Sequence, residues 1–360
     1  MGIPYTNFTK IMLNLQILSS VLKVTKRICG EKISKFLLNI LTRERFFFVD
    51  QIYDFQEKKA IPRLTLLLPG KGCEWAIKTG GCTMCAFGRK AREIGKNFSG
   101  DDLLTLYEIA TDLTKNQQPL DLTIYNGGSF LNDKEIPFEI QLKICRRVKN
   151  HPSLKKLLIE SRVEFINEQR IQVLKNELGE KTLIIGIGLE AQDDKIRNVF
   201  IRKGLDKKDY EGVVKLLKEN GVRILTYVFL KPIYLTEKKA IEEAMKTIEY
   251  AFRVGTDEIA LEVAFVQEGT LMHKLFRENK YKPPWLWSII EVIKKTYNLG
   301  PIQVGGFEDE PPPIAVPSNC PLCSSRIKSL LQQYREMHDI NLLNNLKCDC
   351  YELWKKEVGN

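Results

Sequence analysis

Three consecutive stretches decide the fold: TLIIGIGLE at residues 182–190, DYEGVVKLLKEN at 209–220 and VRILTYVFLKP at 222–232. The first and third are short apolar runs rich in Ile, Leu and Val, the pattern of strands buried on both faces. In the middle stretch the apolar residues recur at helical spacing, which predicts an amphipathic helix. A strand, a helix and a second strand in this order predict a parallel sheet with helices outside it.

The same alternation continues on both sides. Upstream, strands are predicted at 63–70 (RLTLLLPG), 121–128 (DLTIYNGG) and 154–161 (LKKLLIES), with helices at 102–113, 138–150 and 167–178. Downstream come a helix at 237–252, a strand at 258–266 (EIALEVAFV) and a helix at 285–297. Six strand–helix units predict an α/β fold whose sheet is either open or rolled into a barrel. In a barrel, functional groups gather where strands end and helices begin.

The flanks read differently. Residues 1–56 are read as an N-terminal helical extension. Ile33, Phe36, Leu37, Ile40 and Leu41 give one apolar face, and Ile11 to Val24 is richer still in apolar residues. This extension is expected to pack on the main domain rather than lie on a membrane. GFEDEPPPIAVPSN at 306–319 is an acidic, Pro-rich linker that neither a helix nor a central strand continues through. The chain is thus divided into the extension at 1–56, a core at 57–310 and a cysteine-rich, metal-binding tail at 311–360.

Composition bounds the function classes. The 360 residues are 44% hydrophobic and 28% charged, as in ordinary globular proteins. No apolar run has the length of a membrane span. The start, MGIPYTNFTK, lacks a secretory cleavage pattern, so a cytoplasmic protein is expected. The net charge of +10, from 55 Lys+Arg against 45 Asp+Glu, suits either a polyanionic partner or a solvated basic surface.

Nine cysteines are unevenly placed. Cys29 and Cys145 stand alone and are read as small apolar residues. The others form two groups, which in a reducing compartment argues for metal rather than disulfides. The first group lies in PGKGCEWAIKTGGCTMCAFGRK, residues 69–90, where Cys73, Cys82 and Cys85 have the spacing C-x8-C-x2-C. Gly72, Gly80 and Gly81 let the backbone turn tightly enough for the thiolates to converge. Three thiolates suit zinc with a fourth ligand from elsewhere, or three corners of an iron–sulfur cluster with one iron open. The second group, Cys320, Cys323, Cys348 and Cys350, frames a helical stretch as CPLC and CDC. It suits a tetrahedral structural zinc site or an auxiliary cluster that staples the tail.

Other polar residues sit at predicted strand ends. They are Asn126, Gly127, Gly128 and Ser129 after the second strand, Glu160 and Arg162 at the third, and Glu190 at the fourth. Glu190 closes an apolar run and needs a polar partner. Arg202 and Lys203 follow it. Lys231 and Pro232 end the fifth strand, and Gln267, Glu268 and Thr270 follow the sixth. His151, His273 and His338 form no metal pattern, and no nucleophilic triad or phosphate loop is present. No catalytic side chain is assigned.

The cysteine loop, its place after the first strand and the six units resemble the radical S-adenosylmethionine (radical SAM) superfamily across residues 60–305. The widened first gap is similar to that of the elongator catalytic subunit family, since most members have C-x3-C-x2-C. WAIKTGGCTMCAFG, YNGGSFLND, ESRVEFI, GIGLEAQDD and SNCPLCSSRI resemble, more narrowly, the archaeosine-forming radical SAM enzymes of archaea.

The resemblance implies a partial (β/α)6 TIM-like barrel. It implies a 4Fe-4S cluster on Cys73, Cys82 and Cys85, with S-adenosyl-L-methionine on the open iron. Asn126, Gly127, Gly128, Ser129, Glu160, Arg162, Glu190 and Arg202 become its cofactor-binding candidates. Ser129 stands where the superfamily's glycine-rich motif usually has an acid. Phe87 becomes an apolar wall near the adenine. Lys231, Pro232, Gln267, Glu268 and Thr270 fall to the substrate pocket.

The implied activity is lyase-like carbon–nitrogen cleavage on transfer RNA, converting a lysine-modified 7-cyano-7-deazaguanine nucleoside to archaeosine. The implied partners are tRNA, a lysine-attaching enzyme similar to tRNA-guanine transglycosylase, and an electron donor. Arg89, Lys90, Arg92, Arg146, Arg147 and Lys149 become candidate phosphate contacts. The competing readings are a methylthiotransferase or elongator-like radical enzyme, and a zinc-stabilised RNA-binding protein without catalysis.

Overall fold

A computed structural model describes residues 46–95, 98–307 and 312–359. The predicted helices before residue 46 lie outside the described residues, as does Cys29. The described chain forms one sheet of eight strands whose spatial order is their order in sequence. They are β1 (Phe47–Asp54), β2 (Lys59–Leu67), β3 (Asp121–Tyr125), β4 (Lys156–Glu160), β5 (Thr182–Glu190), β6 (Arg223–Leu230), β7 (Glu258–Val263) and β8 (Ile302–Val304). Strands β2 to β8 are parallel, and β1 pairs antiparallel with β2.

The predicted strands are β2 to β7. Following them are α1 (Glu74–Thr79), α2 (Phe87–Gly95) and α3 (Gly100–Thr114), then α4 (Phe138–Asn150), α5 (Glu168–Leu178), α6 (Lys207–Glu219) and α7 (Glu237–Val254). The sequence then runs through α8 (Leu271–Arg277) and α9 (Leu286–Thr296) to β8, α10 (Ser324–Met337) and α11 (Cys350–Gly359).

One expectation is corrected. Residues 47–54, assigned above to a helical extension, are a strand of the sheet. FFVDQIYD is aromatic and β-branched, and its second half alternates, with Gln51 exposed and Ile52 and Asp54 buried. A hairpin pairs Phe47 with Leu66 through to Asp54 with Lys59.

Alternate residues along each strand face the two sides of the sheet. Leu122, Ile124, Leu157, Ile159, Ile185, Ile224 and Leu261 join the main core. Leu158, Ile184, Leu225 and Ala260 form a small separate cluster on the concave side. Near the strands' N-terminal ends that side carries ion pairs: Arg63 with Asp50 (2.6 Å), Arg223 with Glu258 (2.7 Å), and Lys156 with Asp54.

The sheet curls into a half-barrel with β1 and β8 as its two edges. Gln303 Nε2 on β8 donates to the Tyr53 carbonyl on β1 (3.3 Å). Helix α10 lies along this seam: Tyr334 donates its hydroxyl to the Ile302 carbonyl (3.1 Å), and Arg335 reaches Asp50 (3.3 Å). Ile327, Leu331, Tyr334 and Trp354 are buried in the same core as the strands, so the cysteine-rich tail forms a wall of the barrel. Among the described residues, no helix is long and apolar enough to cross a membrane.

Candidate functional site

The loop carrying Cys73, Cys82 and Cys85 leaves the C-terminal end of β2, on the edge where the parallel strands deliver their loops. The wide gap between Cys73 and Cys82 is filled by α1. It starts after Cys73 and stops at Gly80, whose φ of 87° ends the helix with a left-handed residue. Gly81 continues in the left-handed region (φ 78°) and returns the chain to Cys82. All three cysteines are reduced and partly accessible, with Cys85 the most exposed.

Four neighbouring loops hold this segment. After β3, Glu135 accepts the Glu74 N–H (2.9 Å). After β4, the Arg162 guanidinium lies over the Trp75 ring, 4.7 Å from its centre. After β5, Trp75 Nε1 donates to the Arg202 carbonyl (2.9 Å), and Thr83 donates its N–H to Ile201 O (2.9 Å) and its hydroxyl to Phe200 O (2.7 Å). After β7, Gln267 Oε1 accepts the Ala86 N–H (2.8 Å), and Met272 N–H donates to Thr83 O (3.0 Å). Phe87 packs edge-on to Phe265, with ring centres 6.4 Å apart.

The glycine loop after β3 lies directly against Cys73. A Cβ on Gly128 would sit 3.2 Å from Cys73 Cα, and one on Gly88 would sit 2.8 Å from Cys73 Cβ. Asn126 and Ser129 are buried, and Asn126 Oδ1 has no hydrogen-bond partner among the described residues. Ser129 Oγ accepts the Arg162 N–H (3.2 Å), which joins this loop to the end of β4.

At β5, Glu190 has a positive φ of 68° and pairs with Lys203 at 2.8 Å. Burial works against the Lys203 charge, but Glu190 and Cys82 together outweigh it and raise the ammonium to about 12. Burial pushes the Cys82 thiol up, and the nearby Lys203 and Arg162 charges oppose that without reversing it. Glu160 faces the Tyr227 hydroxyl, whose ring occupies the space beside Gly186.

Several candidates fall elsewhere. The Arg202 side chain is exposed and contributes only its carbonyl; Lys203 is the residue that turns inward. Arg162 spends its guanidinium on the carbonyls of Lys203 (2.9 Å) and Gly204 (3.0 Å) and on Glu164 (2.6 Å). Lys231 is buried in an ion pair with Glu237, in the packing between α7 and α9. Thr270 caps α8 by accepting the His273 N–H (3.0 Å). Arg89 is held by the carbonyls of Glu268 and Gly269. Arg146 and Arg147 pair with Glu177 and Glu108, each at 2.6 Å. They and Lys149 end α4, which leads into the N-terminal end of β4, so they lie at the opposite edge from the cysteine loop.

Sequence reasoning missed Glu135, Lys203 as a partner of Glu190, and the contact of Gln267 with the cysteine loop. No local motif marks them, because their partners are 61, 13 and 181 residues away.

The second cysteine group closes tightly. Sγ–Sγ separations are 3.7 Å for Cys320–Cys323 and 3.5 Å for both Cys320–Cys348 and Cys323–Cys350. All four sulfurs lie within 4.8 Å of one another. Trp287 Nε1 on α9 donates to Cys350 Sγ (3.3 Å), the kind of outer hydrogen bond that orients a ligating thiolate. Among the described residues this is the one group of three or more such ligands that closes to single-ion size.

No protein-family model matches the chain. It is 31% identical to archaeosine synthase subunit beta of Methanosarcina acetivorans over 298 residues, covering 81% of this chain and 84% of that protein. It is 27% identical to archaeosine synthase subunit beta of Thermococcus kodakarensis over 308 residues, covering 82% and 92%. Among solved structures it is similar to an N-terminally deleted archaeal Elp3 of Methanocaldococcus infernus, with TM-score 0.49, 17% identity and coverage of 65% and 58%. It is also similar to a radical SAM methyltransferase of Sphaerobacter thermophilus, with TM-score 0.48, 12% identity and coverage of 81% and 92%. On the identity and coverage shared with the Methanosarcina protein, the chain belongs to the archaeosine synthase subunit beta family.

Proposed function

We propose that this chain is a radical SAM enzyme acting on transfer RNA. In this reading it converts a lysine-modified 7-cyano-7-deazaguanine nucleoside to archaeosine by carbon–nitrogen bond cleavage. The observation that carries the reading is the three-thiol loop at the strands' C-terminal edge, seated against the Asn126–Ser129 loop, in a chain whose relatives are named archaeosine synthase. Three thiols on one loop, near enough to influence one another electrostatically, suit a 4Fe-4S cluster held at three corners.

When bound, the cluster and S-adenosylmethionine supply one-electron sulfonium cleavage and a hydrogen-abstracting radical. The chain's own residues orient and shield. Cys73, Cys82 and Cys85 ligate iron. Asn126 to Ser129 offer buried acceptors to the cofactor's amino group, and Glu160 accepts from ribose hydroxyls. Lys203 balances the anionic charge beside Cys82. Arg92, exposed on α2, lies on the cysteine-loop side and suits an approaching phosphate. The name subunit beta in the relatives supports a partner subunit; in this reading a partner enzyme first attaches the lysine, and an electron donor completes the system.

At the second cysteine group, one tetrahedral ion with metal–sulfur bonds near 2.3 Å sets sulfurs about 3.8 Å apart. The observed 3.5–3.7 Å supports a single zinc ion over a cluster.

Anaerobic reconstitution with iron and sulfide, followed by reduction with S-adenosylmethionine present, is expected to release 5′-deoxyadenosine. Mass spectrometry of lysine-modified tRNA is expected to show archaeosine. A brown protein with an intact cluster that releases no 5′-deoxyadenosine would falsify the enzyme reading. Zinc alone, with no iron, would favour the RNA-binding protein. Another modified nucleoside would favour a methylthiotransferase or elongator-like reaction.

A further inference from the structure

Glu135 is nearly fully buried and, among the described residues, pairs with no cation. It sits in the turn Asn132–Ile136, where the N–H groups of Glu135 and Ile136 both donate to the Asn132 carbonyl (2.9 Å each). From there its carboxylate folds back toward the glycine loop. Oε2 accepts the Ser129 N–H (2.5 Å) and Asn126 Nδ2 (3.3 Å). Oε1 accepts the Glu74 N–H (2.9 Å) and Asn132 Nδ2 (3.0 Å). Glu74 follows Cys73 directly. One carboxylate thus joins the first cluster cysteine to the glycine loop.

The arrangement needs the ionised acid. All its acceptor positions face N–H groups, and a protonated carboxyl would turn one of them into a donor facing a donor. Burial pushes this carboxyl above its ordinary value, and the four N–H groups offset only part of that. The site was also built around it, because a Cβ on Gly128 would overlap the carboxylate. Beside it, Asn126 Oδ1 is a buried acceptor without a donor among the described residues, so the loop presents negative character and an open acceptor together.

We propose that Glu135 is a positioning residue that supplies, from six residues downstream, the acid missing at Ser129. It fixes Cys73 and the glycine loop as one unit, so that the cluster's open corner and the acceptors for the cofactor's amino group keep a set separation. This rests on the radical SAM reading above.

The test uses the full chain with Glu135→Gln, which keeps the shape and replaces one acceptor oxygen by a donor. Three quantities are read: amide hydrogen exchange, the electron paramagnetic resonance signal of the reduced cluster with and without S-adenosylmethionine, and the split between KM and kcat for 5′-deoxyadenosine release. Exchange is expected to quicken together in residues 69–79 and 125–135 while β5 stays protected. The cofactor-induced change in the signal is expected to weaken. KM for S-adenosylmethionine is expected to rise about tenfold, with kcat less affected, because a charge-assisted contact is lost. Glu135→Asp, which keeps the charge but not the reach, is expected to fall between.

Unchanged exchange in both segments, or a wild-type resonance signal and KM, overturns the proposal. If Glu135→Gln fails to fold, Asn132→Ala decides. It removes one donor and is expected to shift all three readouts less and in the same direction, and wild-type behaviour overturns the proposal. If the wild-type chain binds no cluster, the functional reading fails by itself, while the exchange arm still decides whether Glu135 ties the two loops.

Discussion

Gly128 shows how little room the site leaves. Its Cβ position is taken by the Glu135 carboxylate and borders Cys73. Gly128→Ala is therefore expected to push a buried, fully bonded carboxylate out of place at a cost of roughly 1–3 kcal/mol. Iron bound per chain after reconstitution measures it: a marked loss is expected, and wild-type iron content would contradict the close approach. The glycine itself was legible in the sequence, since Asn-Gly-Gly at a strand end announces close contact. Its partner was not. Glu135 carries no local signature, and its importance comes from a turn that brings it back onto residues 126–129 and 74. Lys203 tells the same story: Arg202 and Lys203 look alike in sequence, yet the chain, with Arg202 at a positive φ (60°), leaves Arg202 exposed and brings Lys203 to Glu190.

At the scale of elements, alternation of apolar strands with amphipathic helices was enough to read β2 to β7 and the helices α3 to α7, but not the short α1 and α2 in the cysteine loop. The two edge strands escaped for different reasons. β8 has three residues, too few for a period to show. β1 was absorbed into a helical reading because its neighbour residues are helical in pattern, whereas pairing with β2 makes it a strand. Helix α10 was legible as a helix, but its job was not. It closes the gap between the edges, and the Tyr334 hydroxyl is the link to β8. Tyr334→Phe is expected to destabilise the fold by about 1 kcal/mol, leaving the Ile302 carbonyl without this donor. A thermal melt that shows no loss would mean the seam is held by packing alone.

Across the whole molecule, the two cysteine groups sit on different structural levels. The first hangs from the strands' C-terminal edge, where neighbouring loops converge. The second lies outside the sheet, gripping α10 and α11 against α9 through Trp287. Replacing Cys323 with Ser is expected to lower the melting temperature by about 5 °C or more, equivalent to roughly 3 kcal/mol. A metal chelator that leaves the first group's iron in place is expected to do the same. Cluster colour and melting temperature recorded on one sample separate the two sites: loss of both together would show that they are not independent. The spacing of the cysteines made both groups visible beforehand. That the second one braces the barrel, rather than a separate tail, depends on contacts between residues nearly 300 positions apart, such as Arg335 with Asp50.

The position of α10 in the chain has a consequence for biosynthesis. Because spatial order follows sequence order, each strand from β2 onward emerges from the ribosome with its neighbour already made, and the sheet grows by simple addition. The seam is the exception. Its cover is translated after all eight strands, so a polypeptide stalled before residue 324 carries an open edge strand and a wet layer of ion pairs. Such a fragment is a ready substrate for proteases and chaperones, and translation of 324–350 marks the point at which the barrel can escape them.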